Sequence, residues 1–254
     1  MGRLDNKVCI ITGASSGIGY VTAKRFAEEG AILTLFARRA ERLEELAKEL
    51  KDTYGTEVLV VAGDAKNLED IRRCVDGTAE KFGRIDVLIN NAGRSDYHRP
   101  ITKVTDDFWD EVMDVDLKSV FRFTRETLRY MEPAGKGSIV SLSSIGGYYG
   151  NMGFTYSVAK AGIIAMMKNI AIQFTGKGIR ANSVAPGNTL TEFNTEEELA
   201  KFDQELSHMS LRHLDVEAPP CGVLDQANAL LYLACDESAS TTGQCLVVDN
   251  GACL

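Results

Sequence analysis

The sequence lacks most of what would remove a chain of 254 residues from the soluble globular class. No apolar run approaches the ~20 residues that span a bilayer. Positive charge is not in excess. Lys and Arg number 28 against 36 Asp and Glu, a net charge of −8, which argues against a general nucleic-acid or anionic-membrane surface. The opening stretch Met1-Gly2-Arg3-Leu4-Asp5-Asn6-Lys7 has no apolar signal core and runs straight into a strand-like segment, so a cytoplasmic location is expected. Cysteines 9, 74, 221, 235, 245 and 253 form no C-x-x-C pair and suggest no zinc site. Cys9 and Cys245 fall inside predicted strands, where a thiol serves as a small hydrophobe, and reduced thiols are expected. His98, His208 and His213 lack the spacing of a metal-binding helix pair, so no metal site is expected. Internal repeats, low-complexity tracts and linkers are missing too, and residues 1–254 read as one domain. Its length suffices to bury a substantial core.

What is present is alternation. Short apolar runs predict strands at Val8–Thr12, Ile32–Ala37, Val58–Ala62, Val87–Asn90, Ser138–Ser143, Ile179–Ala185 and Gln244–Val248. Helical periodicity fills the intervals at Gly17–Glu29, Ala40–Lys51, Leu68–Phe82, Asp106–Met131, Tyr156–Thr175 and Leu224–Ala234. Apolar strands separated by amphipathic helices imply a parallel sheet covered on both faces, here a doubly wound α/β domain with seven strands. Residues 188–222 break the rhythm with an acidic helical run, Thr195–Phe202, and then Pro219-Pro220. An excursion of that length suggests a lid over an active site.

Two motifs carry chemistry. Gly13-Ala14-Ser15-Ser16-Gly17-Ile18-Gly19 joins the first strand to the first helix. Strand, glycine-rich turn and helix set backbone N–H groups and a helix N-terminus against a pyrophosphate, although G-x-x-x-G-x-G is not the usual dinucleotide spacing. Further on, Tyr156-Ser157-Val158-Ala159-Lys160 places a phenol and an ammonium four residues apart on one helix face. A free phenol titrates near ~10, and an adjacent cation lowers that value, which makes the pair a candidate proton donor and acceptor.

These residues, with Asp64 after the third strand, Asn90-Asn91-Ala92-Gly93 after the fourth, Ser143-Ser144 after the fifth, Pro186-Gly187 after the sixth and Gly243-Gln244 before the last, occur in one order along nearly the whole chain. The sequence resembles the short-chain dehydrogenase/reductase family. The resemblance implies an oxidoreductase in which a nicotinamide dinucleotide exchanges a hydride with an alcohol or ketone. It places the cofactor on Gly13, Ser15, Ser16, Gly17, Ile18 and Gly19, with Asp64 and Ala65 near the adenine. Asn90, Ala92 and Gly93 would lie near the ribose, and Tyr156 and Lys160 at the nicotinamide ribose. Pro186, Gly187, Thr189 and Thr191 would meet the carboxamide end. It makes residues 188–222 the substrate insertion and predicts a homo-oligomer, a tetramer or dimer, joined through helices 106–131 and 156–175.

The second strand ends at Phe36-Ala37-Arg38-Arg39. An acidic residue usually grips the ribose 2′-hydroxyl there in an NAD site. Here Ala37 stands in that place and two guanidinium groups follow, which suits the 2′-phosphate of NADP(H). Arg38, directly after Ala37, is the first candidate; Arg39 could instead pair with Glu41 or Glu44 of the next helix.

The resemblance gives Tyr156 the role of general acid–base, Lys160 that of lowering its pKa, and a serine that of holding the substrate oxygen. The spacing usual in the family selects Ser143. Aligning Ser-Ser-Ile-Gly-Gly selects Ser144, the favoured choice, with one residue deleted before Tyr156. The family's catalytic Asn is replaced by Asp116, in Val115-Asp116-Leu117. Asp116 retains the backbone carbonyl of the proton relay but not the amide donor. Arg94, Ser95, Tyr97, Tyr148, Tyr149, Asn151, Met152 and the lid form the expected substrate pocket. That mixture suits a bulky ketone or secondary alcohol, of hydroxysteroid type or with an anionic tail, with a 3-oxoacyl thioester as the alternative. A catalytically weak NADP-binding protein and an epimerase or dehydratase of related fold also stay open.

Overall fold

Residue-by-residue alternation along the strands explains the two faces of the sheet. In Val8–Thr12 (β1), Cys9 and Ile11 enter one hydrophobic core while Ile10 enters the other. Ile32–Ala37 (β2) does the same, with Leu33 and Leu35 on one side and Phe36 on the other. A strand buried on both faces must be apolar throughout, which is why these segments read as unbroken apolar runs. The remaining main strands are Val58–Ala62 (β3), Val87–Asn90 (β4), Gly137–Leu142 (β5), Ile179–Pro186 (β6) and, last in the chain, Cys245–Val248 (β9). The computed structural model describes residues 2–191 and 195–254, and in it these seven strands form one parallel sheet in the order β3-β2-β1-β4-β5-β6-β9.

Gly17–Glu28 (α1) and Ala40–Tyr54 (α2) cover one face with Val223–Ala234 (α10), through Phe26, Leu43, Leu46, Leu230 and Leu231. Leu68–Phe82 (α3), Ser119–Ala134 (α5) and Phe154–Gln173 (α7) cover the other, through Ile71, Val75, Phe123, Ile163 and Met167. Local chemistry sets the helix ends. Asn67 caps α3 by accepting the Glu69 N–H at 2.9 Å, Glu69 and Asp70 occupy the positive first turn, and Gly83 ends the helix at φ +76°.

The strand order reverses between β1 and β4. The crevice beyond the C-terminal ends of these strands is where an open α/β sheet binds its ligand. The glycine turn, Ala37-Arg38-Arg39, Asn90–Gly93, Ser143-Ser144 and Pro186-Gly187 all leave the sheet from that edge.

Two expectations change. The helix predicted over 106–131 is not continuous. Asp106–Met113 (α4) is joined to α5 by a wide π-helical turn, Asp114–Lys118, which adds a residue to one turn and rotates Asp116 into the interior. The acidic run at Thr195–Phe202 is helical only over Glu196–Leu199 (α8); a second helix, Gln204–Leu211 (α9), starts under the Asp203 cap, which accepts the Leu206 N–H at 3.0 Å. On either side of these two helices, Thr189–Leu190 (β7) pairs with Cys221–Gly222 (β8) and pinches the base of the excursion. Residues 192–194 of the predicted lid lie outside the described residues. Ile145–Tyr149 (α6) is a short helix between β5 and α7. Among the described residues no helix is long and apolar enough to cross a membrane, and no group of side chains could hold a metal ion. The six cysteines are free.

Candidate active site

β5 is followed by two serines, Ser143 and Ser144, that point to different partners, as adjacent residues on an extended chain do. The Ser143 hydroxyl donates to the Lys160 backbone carbonyl at 2.8 Å and so ties β5 to α7. Ser144 caps α6, where its Oγ accepts the Gly146 N–H at 3.0 Å, and its hydroxyl also reaches the Tyr156 phenol. Of the two, Ser144 is therefore the one that shares a cluster with Tyr156.

Tyr156 and Lys160 lie one turn apart on α7, with Nζ 5.3 Å from the centre of the phenol ring. Lys160 is buried, and its ammonium donates to the Leu142 carbonyl at 3.2 Å and pairs with Asp116 Oδ1 at 3.4 Å. Asp116 Oδ1 also accepts the Arg94 N–H at 3.0 Å, while Oδ2 is buried without a protein partner. Gly93 lets these groups approach: a Cβ there would lie 2.6 Å from Asp116 Oδ1 and 3.3 Å from Lys160 Nζ. Burial raises the Tyr156 pKa, Lys160 pulls it down, Asp116 pushes it up, and the net direction is up. Burial opposes the Lys160 charge, but Asp116 and Tyr156 outweigh it, so that pKa also rises. Burial moves Asp116 up against the pull of Lys160.

Asp96 enters this site without having been singled out from the sequence. It is 1% exposed, and its Oδ2 accepts the Tyr156 N–H at 2.9 Å while Oδ1 accepts the His98 N–H at 3.1 Å. Gly153, the residue before α7, has no side chain with which to cap it, and a carboxylate 60 positions away in sequence does so instead. The only hint in the sequence is its place among Arg94, Ser95 and Tyr97.

The residues expected to hold a dinucleotide surround the switch point. No side chain caps the N-terminus of α1 at Ser16, and its first turn has no acidic residue, so an anion meets no competing carboxylate there. A Cβ on Gly19 would fall 2.4 Å from the Gly13 carbonyl oxygen, so this close packing needs a residue without one. Asn91 fastens the second loop to the first: its amide donates to the Thr12 and Gly13 carbonyls at 2.9 and 3.2 Å. The Thr12 hydroxyl in turn accepts the N–H groups of Asn91 and Ala92. Both arginines after β2 are exposed, and it is the guanidinium of Arg39 that lies against the turn, donating to Ser15 Oγ at 3.0 Å and Ser16 Oγ at 2.7 Å. Arg39 thus adjoins the glycine turn and stands beside Arg38 as a candidate. Asp64 is half-buried and folds back on its own loop, accepting the Lys66 N–H at 2.9 Å; Ala65 is buried beside it. The Asn90 amide donates inward to Thr124 and Ser141, and its buried Oδ1 has no protein partner. The Gly187 N–H bonds Val248, Thr189 Oγ1 donates to the Gly187 carbonyl, and Thr191 follows β7.

The expected substrate pocket is partly redistributed. Tyr148 and Tyr149 are exposed, with ring centres 4.8 Å apart and planes tilted by 59°. Met152 packs against Gly146, and the Asn151 amide lies 3.9 Å from Cys253 Sγ. Arg94 is ion-paired with Glu111, so the cation expected to receive an anionic tail is already occupied. Tyr97 and His98 adopt left-handed backbone at φ +55° and +52° and pack edge-on against Phe202 of the 188–222 excursion. Ser207 at 3.0 Å from His98 Nδ1, and Asp203 with Lys103, also tie the excursion down.

Residues 13–253 match the family model described as enoyl-(acyl carrier protein) reductase. The 3-oxoacyl-[acyl-carrier-protein] reductase FabG of Thermotoga maritima is 38% identical over 250 residues, covering 98% of this chain and 98% of that protein. Among solved structures, carveol dehydrogenase from Mycobacterium avium in complex with NAD superposes with a TM-score of 0.89 at 29% identity, covering 98% of each chain. A variant of actinorhodin polyketide ketoreductase with NADPH gives 0.86 at 29% identity, covering 99% of this chain and 98% of that one.

Proposed function

Because this chain belongs to the short-chain dehydrogenase/reductase family and is an oxidoreductase acting on CH–OH groups, we propose that it interconverts a bulky ketone and its secondary alcohol with NADP(H). The observation that carries this reading is the cluster in which one phenol, Tyr156, lies between the Ser144 hydroxyl and the Lys160 ammonium. When bound, the nicotinamide supplies or takes the hydride. Ser144 holds the substrate oxygen by a hydrogen bond. Tyr156 gives its proton to that oxygen as the carbonyl is reduced, or takes it back as the alcohol is oxidised. Lys160, fixed to the Leu142 carbonyl, stabilises the phenolate left behind. The backbone carbonyl of Asp116 keeps its place in the relay whatever its side chain.

NADP(H) is preferred over NAD(H) because Arg39 sets a guanidinium on Ser15 and Ser16 and no acidic residue follows Ala37 directly. The relatives' own cofactors do not decide this, since one neighbour carries NAD and another NADPH. The paired tyrosines and the Phe202 side of the lid favour a bulky, largely apolar carbonyl, a hydroxysteroid-type ketone included. A second reading, reduction of a 3-oxoacyl thioester, is favoured by the 38% identical relative. The working unit is a cytoplasmic homo-oligomer: Phe121 of α5 and Val158 and Ile172 of α7 remain exposed on the two helices, with Ile172 at 74%. Light scattering at micromolar concentration should show a dimer or tetramer, and a monomer would refute that part.

The test is a panel of cyclic ketones, steroid ketones and a 3-oxoacyl thioester, each with NADPH and NADH. Consumption of NADPH with any bulky ketone supports the reading. NADPH fluorescence that shifts on binding, with no consumption across the panel, replaces it with a binding protein.

A further inference from the structure

The Lys160 ammonium is shared between two oxygen acids. Both adjoin it, the Tyr156 ring centre at 5.3 Å and Asp116 Oδ1 at 3.4 Å. An amide in the place of Asp116 would fill the same space without charge. The carboxylate is 0% exposed and has few other ways to disperse its charge: one backbone N–H at Oδ1, and no protein partner at Oδ2. In such a dry position water screens little, and a charge acts strongly on its neighbours. Asp116 therefore opposes the ammonium that would draw the phenol toward phenolate.

The other groups around this pair do not replace that effect. From the loop after β4, Arg94 faces Asp116 but is already paired with Glu111 of α4. From the same loop, Asp96 adds negative potential at the phenol, while the Ser144 hydroxyl after β5 favours phenolate through its hydrogen bond. From α7 come only Lys160 and Tyr156 themselves.

Resting on the proposed reaction, we propose that Asp116 acts through Lys160 as a positioning residue for the proton: its carboxylate keeps Tyr156 in the proton-donating form, so the site is set to protonate a carbonyl and oxidises alcohols only at more alkaline pH. The step is balanced. The carbonyl carbon gains the hydride, its oxygen gains the phenol proton, and the phenolate recovers a proton from solvent. Burial is the main cause of the upward direction of the Tyr156 pKa, and Asp116 adds to it against the pull of Lys160.

Asp116→Asn keeps the shape and an oxygen for the Arg94 N–H while removing the charge. Phenol ionisation is followed by ultraviolet difference absorbance in the enzyme without cofactor, and subtraction of Tyr156→Phe isolates the Tyr156 step. The expected result is a Tyr156 step about one pH unit or more lower in Asp116→Asn. The alkaline limb of ketone reduction should fall by the same amount, and alcohol oxidation at neutral pH should rise about tenfold. Asp116→Ser, which also lacks the charge, gives the same reading if the Asn variant does not fold. A Tyr156 step that stays within a few tenths of a unit of wild type in a folded variant overturns the inference. The two readings separate cleanly: a shifted step in a protein that never consumes NADPH upholds the role of Asp116 and removes only the redox reaction, whereas NADPH consumption with an unmoved step removes only this role.

Discussion

Asp96 offers the sharpest structural test, because it joins the loop after β4 to the helix that carries Tyr156. Asp96→Ala deletes a buried carboxylate that accepts two backbone N–H groups, from Tyr156 at 2.9 Å and His98 at 3.1 Å. Hydrogen bonds to a charged acceptor contribute roughly 1.5–3 kcal/mol each, and loss of a helix cap costs about 0.5–2 kcal/mol. Relief of the carboxylate's own desolvation, which holds the Asp96 pKa above the ordinary range, offsets part of this. A net loss of about 2–3 kcal/mol follows, or a fall in Tm of about 5–10 °C for a chain of this size. Tyr156 sits in the first turn that frays, so kcat should fall about tenfold while the Kd for NADPH, set mainly at the glycine turn, stays within about twofold. Asp96→Asn, which keeps one acceptor oxygen, should recover about half of both losses. The assay is thermal denaturation beside steady-state kinetics and NADPH titration. A folded Asp96→Ala variant with wild-type Tm and kcat would refute the capping account.

Three further outcomes are expected. Arg39→Asp should weaken NADPH at least about tenfold with little effect on NADH, and Arg38→Asp should do so less; equal loss for both cofactors would exclude a 2′-phosphate contact. Ser144→Ala should lower kcat about 10²-fold. Ser143→Ala should chiefly cost about 1 kcal/mol of stability through its lost bond to the Lys160 carbonyl, and an exchange of these two phenotypes would return the catalytic assignment to Ser143. Glu29, hydrogen-bonded to Arg3 and ion-paired with Arg25, has its pKa lowered from 4.5 to about 2. A depressed carboxylate stabilises the fold above its unfolded pKa and loses that contribution as pH falls through the folded value. Glu29→Gln should therefore be about 1 kcal/mol less stable at neutral pH, with the two denaturation curves converging near pH 2.

The fold was legible because the sheet is buried on both faces. β1 to β4 needed no revision, since a mostly apolar run followed by a glycine, a charge or an amide leaves little freedom in where a strand stops. The wide turn at Asp114–Lys118 was not legible, because one extra residue in one turn leaves helix propensity untouched and shows only as a shift of phase. The candidate site was legible wherever its residues are neighbours in sequence: Tyr156 with Lys160, and the glycine turn. It was not where the partner is remote. The spacing of Ser143-Ser144 could not show that Ser143 turns to the Lys160 carbonyl while Ser144 turns to the Gly146 N–H, because both partners lie beyond the strand. Arg39 could have paired with its own helix, and only the fold brings Ser15 and Ser16 beneath it. Arg94 kept its charge in the sequence and shares it with Glu111 in the structure. Asp96 read as one polar loop residue among several, because its partner lies 60 residues on.

The central claim is that the Tyr156 phenol is the proton carrier of a hydride-transfer reaction. Tyr156→Phe tests it most directly, since it keeps the ring and its packing and removes only the hydroxyl. Rates of NADPH-dependent ketone reduction are measured beside NADPH titration and thermal denaturation of the same variant. The account predicts a fall in kcat of about 10²-fold or more, with cofactor affinity and Tm close to wild type. Near-normal turnover by a folded Tyr156→Phe enzyme would contradict it.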